Sequence, residues 1–203
     1  MGLGSSDLGD TEVGPGGAAL GQGELALGLV SRTLGPDEFE VSWDRAQATL
    51  TIPIGRLLEV ATALRDDPAT AYEMPVTMTC VDWPERDPRF DVIYLLRSLV
   101  HNDLARLCVR AGENTPVPSL ATLYPGLEWH ERECYDLFGL TIIDHPNLTR
   151  ILLPDDWEGH PLRKDYVSFG EPVAFTHNLE WALSPQDRPE YLPGAVRGSV
   201  ERA

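Results

Sequence analysis

The chain has 203 residues, 42% of them apolar, and a formal net charge of −16. That length holds one domain of common size plus tails. The acidity argues against a nucleic-acid partner, whose phosphates call for a basic patch, and against direct docking on anionic lipid. Cys80, Cys108 and Cys134 form no C-x-x-C pair, and an odd count fits reduced thiols better than a disulfide framework, so the expected compartment is cytosolic. No cationic start with an apolar run marks a signal peptide. The run from Val92 to Val100 is broken by Arg97 and too short to span a bilayer, so any membrane association is expected through partners.

In chain order, residues 1–36 hold ten of the eighteen glycines and no sustained period. They read as a flexible arm, within which Glu24 to Arg32 can form a short helix or strand. Phe39, Val41 and Trp43, then Leu50, Ile52 and Ile54, alternate with polar residues around Asp44-Arg45-Ala46, the pattern of a β-hairpin. Helical spacing follows from Ile54 through Leu64, stopped by Asp66-Asp67-Pro68. Three strands come next: Met74 to Cys80, Phe90 to Leu96 and Ala105 to Val109. The middle one is apolar on both faces, as an internal strand would be. Pro116 and Pro118 close the sheet. A short helix over Ser119 to Tyr124 breaks at Pro125-Gly126, and a longer one runs from Leu127 to Phe138 with Gly139 placed to end it. Past Pro154 the chain is Pro-rich and aperiodic, as an extended segment would be. The order β-β-α-β-β-β-α predicts an α+β fold: a two-layer sandwich of a mixed, mostly antiparallel sheet with a few helices, plus a long extended C-terminal tail. The expected division is an arm over 1–36, a core domain over 37–139 and an extended segment over 140–203 that docks on a neighbouring subunit.

The last helix carries a misplaced charge. At about 100° per residue, Leu127, Phe138 and Cys134 share one stripe, and Glu131 falls within it. A carboxylate facing a core needs a partner, and Arg150, Arg163 and Lys164 are the cations nearby in sequence. Such a pair either locks the tail onto the helix or reaches another subunit; acid–base catalysis is a third option. Glu128, Arg132 and Asp136 share the opposite face and read as a solvated trio.

Residues 131–166 mix these charges with Trp, Tyr, Phe, Ile and Leu, which suits a surface that another protein covers. A different class of function, a zinc-dependent hydrolase, would use His130 and Cys134 one helical turn apart, joined by His145 and His160. Each of the latter two precedes a proline, which points to extended backbone fixed in a turn, and a histidine ring bonded to a neighbouring carbonyl is the commoner outcome. No dinucleotide or P-loop motif is present, and three cysteines alone cannot hold a cubane cluster.

Glu131-Arg132-Glu133-Cys134-Tyr135-Asp136-Leu137-Phe138-Gly139, then His145-Pro146, Leu148, Arg150-Ile151-Leu152, and Glu158-Gly159-His160-Pro161-Leu162-Arg163-Lys164-Asp165-Tyr166 closely resemble a family signature. The family is the C-subunit of bacterial NADH:quinone oxidoreductase, the proton-pumping respiratory complex I. The chain departs from it at Ile142-Ile143, where members often carry an aromatic. The resemblance implies a non-catalytic, cofactor-free component of the peripheral arm, on the cytoplasmic face of the plasma membrane. FMN and iron–sulfur clusters would then reside in partner subunits. It further implies that the chain lies against the large quinone-site subunit and that subunit's small cluster-bearing partner, with the signature residues serving that interface. The same module occurs in membrane-bound hydrogenases and ferredoxin-fed quinone reductases, which stand as the alternative within this class.

Overall fold

The computed structural model describes residues 22–35 and 37–166. The elements are α1 (Glu24–Thr33), β1 (Glu40–Asp44), β2 (Gln47–Thr51), α2 (Leu57–Asp66), β3 (Met74–Asp82), β4 (Phe90–Ser98), β5 (Asp103–Ala111), β6 (Val117–Pro118), α3 (Glu128–Phe138) and β7 (Ile142–Ile143). Single 3-10 turns lead into α2 and α3. Five strands form one sheet in the order β1-β2-β5-β4-β3, and β6 pairs with β7 in parallel.

The expected α+β architecture holds, and its mixed character has one source. β1–β2, β3–β4 and β4–β5 are antiparallel, as their short links require, whereas β2 lies parallel to β5. α2 and the β3–β4 hairpin occupy the chain between those two parallel strands, the length such a crossover needs. The β1–β2 turn places Arg45 and Ala46 both at positive φ, the backbone of a two-residue turn matched to strand twist. β4 is internal, as its apolar faces predict, with Phe90, Val92, Tyr94 and Leu96 fully buried on the core side.

Two expectations about the arm and the linker are corrected. α1 belongs to the core: Ala26, Leu29 and Val30 are buried in the same apolar cluster as α2 and the sheet. The Gly23 amide bonds the buried Asp103 carboxylate at 2.6 Å, so the packed domain begins well before residue 37. The remainder of the arm, 1–21, lies outside the described residues. Ser119 to Tyr124 is one turn, not a helix, in which Leu123 and Tyr124 amides both bond the Leu120 carbonyl. The Ser119 hydroxyl and Leu120 amide that a helix start would use are instead turned toward α3.

Candidate functional site

α3 lies against β3, and Cys134 and Phe138 enter the core as the wheel predicts. Glu131 goes in with them, fully buried. Its partners are none of the expected cations. The Ser119 hydroxyl donates to Oε2 at 2.5 Å and the Leu120 amide to Oε1 at 2.7 Å. His145 Nε2 stands 3.8 Å from Oε2, with both side chains closed to solvent. The His145 Nδ1 accepts from the Asn147 amide while Nε2 meets the Glu128 carbonyl. Nε2 thus lies between the Glu128 carbonyl and the Glu131 carboxylate. Burial pushes the Glu131 carboxyl above its ordinary value, and the donors from Ser119 and Leu120 offset that only in part.

On the opposite face of α3, Arg132 and Asp136 are not solvated, which corrects their reading, while Glu128 is half-buried. Arg132 and Asp136 are buried because residues 149–153 return across them. One Asp136 oxygen accepts the amides of Ile151, Leu152 and Leu153 at 3.1, 2.9 and 3.0 Å. Arg150 stands 3.8 Å from the other oxygen. Burial alone would raise this carboxyl; the three amides and Arg150 outweigh it and hold Asp136 below the usual carboxylate range. Arg132 stacks over Trp129, 4.9 Å from the ring centre, and donates to the Thr149 carbonyl and hydroxyl and the Arg150 carbonyl.

The segment ending at Tyr166 folds back onto its own domain, where an extended run over a neighbour was expected. Residues 167–203 lie outside the described residues. The His160 ring meets the Asp136 carbonyl at 2.9 Å, the Leu162 amide bonds the Leu137 carbonyl, and Arg163 Nε bonds the Phe138 carbonyl at 2.6 Å. These groups satisfy the carbonyls that the last turn of a helix leaves without partners. Gly139 permits the arrangement: its φ is +70°, and a Cβ there would strike the His160 ring and lie 2.8 Å from the Arg163 guanidinium. Gly159, at φ +84°, leaves similar room for the Tyr166 ring. Pro146 and Pro161 lie in the turns that follow His145 and His160.

The end of this clasp is bolted to the sheet edge. Arg89 pairs with buried Asp82 at 2.6 Å, Glu113 at 2.6 Å and Asp165 at 2.7 Å. Asp82 also accepts the Lys164 amide at 2.7 Å, so Lys164 contributes its backbone there. Arg89 and Arg163 each stand over the Phe90 ring. Tyr135 is half-buried against the core, and Glu133 is exposed. Ser119, Thr149, Asp82 and Arg89 were missed from sequence. Each is a partner in space with no periodic signal of its own, except that Asp82 marks the end of a strand.

The zinc arrangement does not assemble. The His130, His145 and His160 rings each meet a different carbonyl, and no three candidate ligands come together among the described residues. Burial pushes the Cys134 thiol up to about 12, against a nucleophilic role. None of the described helices is long and apolar enough to cross a membrane.

Residues 50–172, more than half of the chain, match the family described as "Respiratory-chain NADH dehydrogenase, 30 Kd subunit". The chain belongs to that family. It is 43% identical over 159 residues to the C-subunit of the NADH-quinone oxidoreductase of Roseiflexus castenholzii, a match covering 77% of this chain and 87% of the relative. The corresponding subunit of Mycolicibacterium gilvum is 41% identical over 184 residues, covering 86% and 80%. Among solved structures, a chain of the membrane-bound sulfane sulfur reductase, an archaeal respiratory membrane complex, aligns with a TM-score of 0.58 at 18% identity. That alignment covers 84% of this chain and 96% of the other, a likeness of fold. The family match spans α3 and the whole clasp.

Proposed function

We propose that this chain is a structural, cofactor-free subunit of the peripheral arm of an NADH:quinone oxidoreductase that couples electron transfer to proton translocation. FMN and the iron–sulfur clusters belong to its partners in this reading. It docks against the large quinone-site subunit and that subunit's small cluster-bearing neighbour, at the cytoplasmic face of the membrane. The observation carrying this is how the signature side chains are used. Glu131, Arg132, Asp136, His145, His160 and Arg163 all bond backbone groups of their own domain. Groups so engaged shape and stiffen a surface; they are not poised around a space where a substrate would react.

The test is deletion of the chain in its host, followed by assay of the membranes. NADH-driven quinone reduction and proton uptake should fall to background and return when the chain is restored. NADH oxidation by an artificial acceptor, which needs only the flavin, should persist in the remaining arm. Deleted membranes that still reduce quinone at the full rate would overturn the reading, as would quinone reduction by the purified chain alone.

A further inference from the structure

Three exposed apolar residues, one on α3 and two on the chain bonded along it, make a row of attachment points on this helix. Trp129 is 60% exposed, Leu152 61% and Leu162 47%. Scattered exposed apolar residues are ordinary, but these three are placed by one helix. Trp129 sits under Arg132, the Leu152 amide is held by Asp136 and the Leu162 amide by the Leu137 carbonyl. From Trp129 to Leu137 the helix rises roughly 12 Å, so the row is about the width of the buried centre of a protein contact.

The charges around the row are one-sided. Arg132 and Arg163 point inward to carbonyls, and Arg150 turns toward Asp136 and the Pro154 carbonyl. Lys164 is the cation of the segment left exposed. Glu133, one helical turn from Trp129, and Asp155, Asp156 and Glu158, in the loop after Leu152, are exposed, and none has an ion pair among the described residues. The segment uses its arginines, with Glu131, Asp136 and Asp165, to build itself, and leaves these four acids outside.

Resting on the reading of the chain as a subunit of a redox complex, we infer that the surface around this row docks a partner protein that presents Arg and Lys around an apolar centre. Trp129 and Leu152 fill the middle of the contact, and the four acids form its rim. An apolar core with a polar rim is the usual anatomy of a specific interface, with a buried Trp among its strongest anchors. The rim acids are matched by cations that this chain does not supply, which favours a basic partner and sets the orientation of docking.

The test uses the full chain expressed within its complex, comparing wild type with Trp129→Ala/Leu152→Ala, Asp155→Lys/Asp156→Lys and a control, Trp43→Ala. Trp43 is 49% exposed on the edge strand β1, away from α3. Thermal melts of the isolated chains show whether each variant folds. Retention of the chain in the purified complex should drop about tenfold or more for both the apolar and the charge-reversed variants. Raised salt should weaken retention of wild type while leaving the charge-reversed variant little further to lose. Trp43→Ala should be retained as wild type. If both of these variants fold and are retained normally while wild type co-purifies with the complex, this docking face is wrong and the subunit reading stands. If wild type itself enters no redox complex, the subunit reading fails and the inference falls with it.

Discussion

Glu131 and Asp136 are carboxylates on one helix, five residues apart and both closed to solvent, yet their protonation tendencies run in opposite directions. Glu131 lies deep between α3 and the sheet and has a hydroxyl and one amide for partners. Asp136 lies beneath a single layer of returning loop and collects three amides on one oxygen. Burial raises both carboxyls; at Asp136 the three amides and Arg150 outweigh it, whereas at Glu131 the Ser119 and Leu120 donors, with His145 nearby, do not. One helix therefore holds two kinds of anchor. Glu131 ties α3 to the chain before it, at Ser119 and Leu120, and Asp136 ties α3 to the chain after it.

The contrast can be broken first by truncation. Glu131→Ala leaves the Leu120 amide without an acceptor in a dry interior and opens a hole, a loss of about 3 kcal/mol in urea unfolding. Asp136→Ala should cost less globally, about 2 kcal/mol, because water can reach the freed amides of Ile151, Leu152 and Leu153 once the loop lifts. Hydrogen exchange should show the damage confined to roughly residues 149–166. A larger global loss for Asp136→Ala than for Glu131→Ala would reverse the assignment of inner and outer anchors.

The amide variants sharpen the comparison with smaller effects, within about 1 kcal/mol near neutral pH for Glu131→Gln. A Gln at 131 can accept from Leu120 and donate to the Ser119 oxygen. Stability measured from about pH 3 to pH 7 then separates the two sites by sign. Glu131 ionises in the folded chain above its ordinary value of 4.5, so the unfolded chain loses that proton first. Its contribution therefore declines as pH rises from 4.5 through the folded value, and Glu131→Gln should remove that decline. Asp136 titrates below its ordinary 3.8, so its stabilisation is present above that value and lost as pH falls through the depressed one. Asp136→Asn should lower stability at neutral pH and flatten the acid limb. Parallel curves for wild type and both variants would refute the contrast.

Local chemistry made a large part of this legible from sequence. Alternation marked β2 through β5, helical spacing marked α2 and α3, and Gly139 marked where α3 ends. The stripe containing Glu131 was correct because a helix wheel needs only covalent geometry and a fixed rise. The same wheel failed at Arg132 and Asp136, since it ranks residues by what one face buries and cannot foresee the chain returning over the other. It failed too in choosing a partner for Glu131. Opposite charge pointed to Arg150, Arg163 and Lys164, whereas those residues cap carbonyls, approach Asp136 or offer a backbone amide.

The sequence by itself determined the class of fold and the family, because periodicity, turn residues and a dense motif are properties of neighbouring positions. The parallel β2–β5 pairing, the place of α1 in the core and the folding of 145–166 onto α3 were decided only in three dimensions. Each of these joins residues far apart in the chain, and burying their apolar surface leaves polar groups that must find donors or acceptors wherever the fold brings them. A charge read along the chain looks like a contact for another protein; in the folded domain Glu131, Arg132, Asp136, Arg150 and Arg163 hold the domain's own backbone.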